Sequence, residues 1–131
     1  MGHPNEDLVR KGYDAFTSGD LDTLGTLMTD DVSHTAPGNN PTSGEHEGHD
    51  SVFAMYGELF ERSGGTLQVE LLDVTAKGDD KVVSRHHATA HRGDKKLDVE
   101  ETLEFTIVDG KITHVEESSS DVGAEDAFWS D

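Results

Sequence analysis

The chain has no cysteine, so disulfides and thiol catalysis are excluded and a cytoplasmic location is the default expectation. No apolar run approaches the ~20 residues that a membrane helix requires. The opening MGHPNE lacks the apolar stretch of a secretory leader, and Glu6 stands where a myristoylation signal wants Ser or Thr. No glycine-rich phosphate loop, nucleophile elbow or Walker motif occurs. Aromatic residues are only 6% of the sequence, and lysines number six.

Acid is what the chain has in excess: 28 Asp and Glu against 10 Lys and Arg, a net charge of −18. Such a charge repels phosphate backbones and anionic lipid, so neither nucleic acid nor membrane is an expected partner. The acid is spread along the whole chain, which argues against a detachable acidic tail. Adaptation to a salty cytoplasm, where ions screen the self-repulsion, is the preferred explanation. Disorder is not, because the apolar residues are periodic and bounded by turn signals. At 131 residues the chain should form one domain, 1–131, with a single core and room for a pocket.

Asn5, Glu6 and Asp7 open a first helix whose apolar stripe is Leu8, Val9, Tyr13 and Phe16. Gly19 stops it, and Asp20 caps a short second helix that buries Leu21, Leu24, Leu27 and Met28. Residues 37–48 read as a loop. A third helix runs from Asp50 as its cap to about Arg62, burying Val52, Phe53, Tyr56, Leu59 and Phe60. Segments 66–76, 81–91, 97–108 and 111–117 read as strands, with Asp109–Gly110 as a two-residue hairpin turn. Helices first and an antiparallel meander second means α+β, the helices covering one face of a curved sheet.

Strand pairing places a carboxylate on the buried face. Closing 81–91 on 97–108 sets Ala90 opposite Leu97, Ala88 opposite Val99, and His86 opposite Glu101. The next hairpin would set Phe105 opposite His114, so one face would carry His86, Glu101, His114 and Glu116 among apolar residues. Arg85, His87, Asp98, Glu100, Glu104 and Thr106 take the other. Glu101 with His86 is the candidate catalytic acid–base pair, and His34 a third group. Burial would raise the carboxyl pKa and a histidinium would lower it, so the net direction stays open. The competing account is that Glu101 pairs for structural reasons or lies at the rim, or that a β-bulge flips its parity.

The remaining polar clusters are weaker. His46 and His49 in EHEGHD make a tempting metal set, but Gly48 at a helix entrance disfavours a rigid pair, and a solvated loop is the better account. No metal and no cofactor is expected. His87 and His91 more simply balance Glu100 and Asp98. Tyr13, Phe16, Phe53, Tyr56 and Phe60 are core residues first. Tyr13, Tyr56 and Phe60, with His34 and His114, are the expected pocket-lining residues. Trp129 should seal the base of the fold.

Several stretches in order, GYDAFTSGDLDTLGTLMTDDV, GHDSVFAMYGEL, GDDKVVSRHHATA, VDGKITHV and DAFW, resemble the SnoaL-like branch of the NTF2-like superfamily. The resemblance covers nearly the whole chain. It implies a cone-shaped half-barrel, three helices wrapped by a bent antiparallel sheet, with a deep pocket and usually a homodimer. It does not imply a reaction. The ketosteroid isomerase branch resembles this chain less at its functional positions: its helical tyrosine falls at Gly12, one step from Tyr13, and its general-base aspartate falls at Ala36. The reading is therefore a binder of a small, mostly apolar molecule. Any chemistry would be cofactor-free acid–base isomerisation, cyclisation or hydration of a carbonyl compound. The alternative is a non-catalytic binding or dimerisation domain.

Overall fold

The computed structural model describes residues 3–130. Met1 and Gly2, which begin the amino-terminal stretch read above, and Asp131 lie outside the described residues. Among the described residues the order is α1 (Pro4–Thr17), α2 (Leu21–Thr26), β1 (Met28–Ala36), β2 (Gly44–Glu47), α3 (Gly48–Arg62), β3 (Gln68–Lys77), β4 (Lys81–Arg92), β5 (Lys95–Val108), β6 (Lys111–Ser119) and α4 (Val122–Trp129). The strands make one curved sheet in the order β2-β1-β6-β5-β4-β3. β1 lies parallel to β6, and the other neighbours are antiparallel.

This is the expected α+β class, with four corrections. Residues 28–36, given no strand in the sequence reading, form β1, because Met28, Val32, His34 and Ala36 all turn inward around an irregularity that follows Met28. Met28 therefore belongs to the sheet rather than to α2. Part of the expected 37–48 loop is the edge strand β2, paired with β1 through Ser33–Glu47 and Ala36–Gly44. The third helix starts at Gly48, leaving Asp50 in its first turn, where its charge suits the helix dipole. A fourth helix, α4, closes the fold, so the sheet is mixed and the helices number four among the described residues.

Helix α1 packs on β3 and β4, α3 on β1, and α4 on β5. The main core joins Val9, Leu24, Val52, Val82, Phe105 and Ile112, among others. A second cluster sits under α4, where Phe128 and Trp129 meet Ala88, Ala90, Leu97 and Val99. Asp121 caps α4 by accepting from the Ala124 amide. At its other end Arg92 donates to the Phe128 and Ser130 carbonyls, Arg62 to that of Trp129 and Lys95 to that of Ser130. Cations at a helix carboxyl end also complement its dipole.

The loop before β2 is tied to α4 as well. Asp126 accepts from the Asn39 amide and the Asn40 side chain. Gly38, at φ 97°, passes so close that an added Cβ would lie 2.3 Å from Asp126 Oδ1. Gly38→Ala should therefore cost about 1–3 kcal/mol in chemical denaturation, from the positive φ and the displaced carboxylate. Gly44→Ala, with a similar φ and open space, should cost less.

Candidate functional site

Between the helices and the concave face of the sheet lies a cavity of about 100 Å³. Space of that kind holds roughly several waters or a small ring. Most of its wall is apolar, including Leu24, Met55, Leu97, Leu103 and Phe105. Its titratable groups come from seven elements: Tyr13 (α1), His34 (β1), Tyr56 (α3), His86 (β4), Glu101 (β5), Glu117 (β6) and Glu125 (α4).

These groups form two chains that end on carboxyls. Ser84 Oγ lies 2.7 Å from the Tyr13 hydroxyl, which lies 2.7 Å from His86 Nδ1. His86 Nε2 is then 2.6 Å from Glu101 Oε1. In the second chain the Tyr56 hydroxyl lies 2.8 Å from His34 Nδ1, and His34 Nε2 lies 2.8 Å from Glu117 Oε1. One tautomer satisfies both: Nε2–H donates to the carboxyl, and Nδ1 accepts the tyrosine proton. The histidine and carboxyl side chains are 6% to 15% exposed.

The carboxyls converge. Glu101, Glu117 and Glu125 each offer an oxygen within 4.8 Å of the other two. Burial raises all three pKa values: Glu101 to about 8, helped by the charge of Glu117; Glu117 to about 7, helped by Glu125; and Glu125 to about 9, helped by its contact with Glu101. Like charges this close cannot all ionise, so the three share protons and titrate as a unit. Burial lowers both histidines, His34 to about 3, and raises both tyrosines. Both imidazoles are therefore neutral near pH 7.

The SnoaL-like domain model matches residues 9–115. The chain belongs to the SnoaL-like family. Bal32a, from a soil-derived mobile gene cassette, is 37% identical and superposes with a TM-score of 0.93 over 96% of each chain. A Xanthomonas campestris protein of unknown function with a cystatin-like fold is 33% identical, with a TM-score of 0.89 over 95% of this chain and 97% of its own. An uncharacterised Mycobacterium tuberculosis protein is 35% identical over 94% of both chains. A SnoaL-like polyketide cyclase assigned in Jannaschia, at 21% identity and a TM-score of 0.79, shares the fold.

Within this SnoaL-like fold, Tyr13, His34, Tyr56, His86 and Glu101 reach the cavity wall, and His86 faces Glu101 in the β4–β5 register. Two of the expected wall residues do not reach it. His114 faces Thr106 rather than Phe105, because a bulge follows Ile107–Ile112 and reverses the parity of β6. It bonds Ser33 Oγ and Glu116 instead, while Val115 and Glu117 turn inward. Phe60 stacks on Phe16, 5.1 Å between ring centres, outside the wall. Trp129 both covers the base and lines the cavity.

Glu117 and Glu125 escaped the sequence reading. The apolar Val115 was the signal for the first, since a buried Val115 carries Glu117 inward two residues on. Asp121 before VGAEDAFW was the cap signal for the second. His46 and His49 are not joined: His46 bonds the Thr42 carbonyl, and His49 stacks on Phe53 and reaches the Met28 carbonyl. On the other face His87 pairs with Asp98 at 2.5 Å, and Arg85 bridges Asp73 and Glu100.

Proposed function

We propose that this SnoaL-like chain takes a small, mostly apolar carbonyl compound into its cavity and performs cofactor-free acid–base chemistry on it. Glu101 is the group that exchanges a proton with the carbon beside the carbonyl, and His86 orients it and tunes its basicity. Isomerisation, aldol-type cyclisation and hydration all need such a step. The observation that supports this reading is the Tyr13–His86–Glu101 chain, buried and ending on an apolar cavity. A carboxyl near 8 exchanges protons readily close to neutrality, where an ordinary carboxylate is a poor acid.

The test is α-proton exchange of small cyclic ketones into deuterated water, followed by NMR in high salt. Wild type should accelerate exchange, and Glu101→Gln should remove about 100-fold or more of that rate while ketone binding persists. Ketone binding without exchange in wild type would leave a non-catalytic binding domain. No binding at all would leave a dimerisation domain. A homodimer and a cytoplasmic, salt-adapted setting are part of the same proposal.

A further inference from the structure

We infer that the carboxyl end of the cavity is a cation site for a small organic ammonium ion, so that the molecule it takes carries a protonated amine on an apolar body. This rests on the cavity being a ligand site, as the acid–base reading also does, but it does not need turnover.

Three acids meet here without a countercharge. Among the described residues no lysine or arginine lines the cavity. The two histidines that face Glu101 and Glu117 are held neutral by burial. Glu101 and Glu117 are each already bonded to a histidine Nε2, whereas Glu125, 5% exposed, keeps a buried Oε2 with no hydrogen-bond partner outside the carboxyl cluster. Apart from the protons that the three carboxyls share, the wall supplies no donor to this oxygen.

The convergence of three carboxyls brings their oxygens within reach of one ammonium group. Three N–H bonds in tetrahedral directions, each about 2.8 Å from its acceptor, want oxygens about 4.6 Å apart. The three carboxyls offer oxygens within 4.8 Å of one another. Magnesium or calcium would draw six or more oxygens to about 2.0–2.6 Å. The cavity offers three carboxyls, and most of its remaining wall is hydrocarbon, which suits the apolar body of an amine. Ammonium binding also expels protons that the cluster otherwise holds. Glu101 is then ionised, the form in which it can act as a base, and an amine borne by the substrate would prime the chemistry proposed above.

Cyclohexylamine and cyclohexanol, matched in body and different in charge, test this by melting and by calorimetry at pH 7.5 in high salt. The amine should raise the melting temperature and bind about tenfold or more tighter than the alcohol, the worth of one charge-assisted hydrogen bond. Calorimetry in two buffers of different ionisation enthalpy should show net proton release. Glu125→Gln should lose the amine preference and keep the alcohol. Equal binding of the two, or amine binding without proton release, would overturn the inference, and neither readout depends on a variant folding. An amine effect untouched by Glu125→Gln would place the cation on the acidic surface instead. Stabilisation by magnesium or calcium chloride but not by the amine would make this a metal site, and would equally overturn it. Ketone exchange without amine preference would sink this inference and spare the acid–base reading; the reverse result would do the opposite.

Discussion

The melting temperature of the wild-type chain should fall by roughly 10 °C or more between pH 7 and pH 9, and that of Glu101→Gln/Glu117→Gln/Glu125→Gln should fall far less. The sign follows from where the protons sit. Unfolded, these carboxyls titrate near 4.5, so above pH 6 the unfolded chain has released them. Folded, the cluster keeps protons until about pH 7 to 9. Each proton bound only by the folded state lowers stability by about 1.4 kcal/mol per pH unit as pH rises. One or two such protons over two units come to roughly 3–5 kcal/mol, and each kcal/mol moves the midpoint by about 3–5 °C in a domain of this size.

The histidines act in the opposite sense and in another window. His34 and His86 are lowered, so their contribution is lost as pH falls below about 6.5. Above pH 7 they add no slope, which is why the carboxyl effect is best read there. Surface repulsion changes little in either protein over this range, since exposed carboxyls are already ionised. Parallel melting curves for the two proteins would show that the three acids are not held protonated in the fold.

Phe128→Ala should destabilise the chain by about 3–5 kcal/mol in chemical denaturation, the range for a buried aromatic truncated to alanine. Phe128 is 1% exposed, stands edge-on to Trp129 with ring centres 4.7 Å apart, and lies under the Arg92 guanidinium. Eight residues cannot hold a helix in water without tertiary contacts. Loosening α4 also withdraws Glu125 from the carboxyl cluster, so the variant should show a shallower fall of stability between pH 7 and 9. A cost below about 1 kcal/mol would mean that the capping contacts of Asp121 and the basic clamp hold α4 without its aromatic pair.

Much of this architecture is legible in local pattern. The period-two alternation of 81–91 and 97–105 dictates which side chains share a face, and Asp109–Gly110 closes the turn with Asp109 at φ 51° and Gly110 at φ 78°. Once the 81–91 strand folds back on the next through the 92–95 turn, His86 meets Glu101, because the apolar alternation of both strands sets this register and no bulge interrupts it. The acidic excess and the apolar stripes of α1 and α3 are equally local facts.

What local pattern could not decide was the partner of β6. Whether His114 or Val115 turns inward depends on a bulge, and the bulge forms because a bent sheet buries Val115 while His114 finds Ser33 on β1. β1 itself is legible only once β6 lies beside it in parallel, since its polar TDD stretch hides the alternation. Glu117 and Glu125 are separated from Glu101 by 16 and 24 positions, and no spacing along the chain brings three acids together. Only the closure of α4 over the cone does that. The sequence by itself determined the faces of β4 and β5 and the His86–Glu101 pair; the tertiary structure decided that this pair is half of a doubled, three-carboxyl site, because burial and long-range packing, not propensity, set the parity of β6 and the seat of α4.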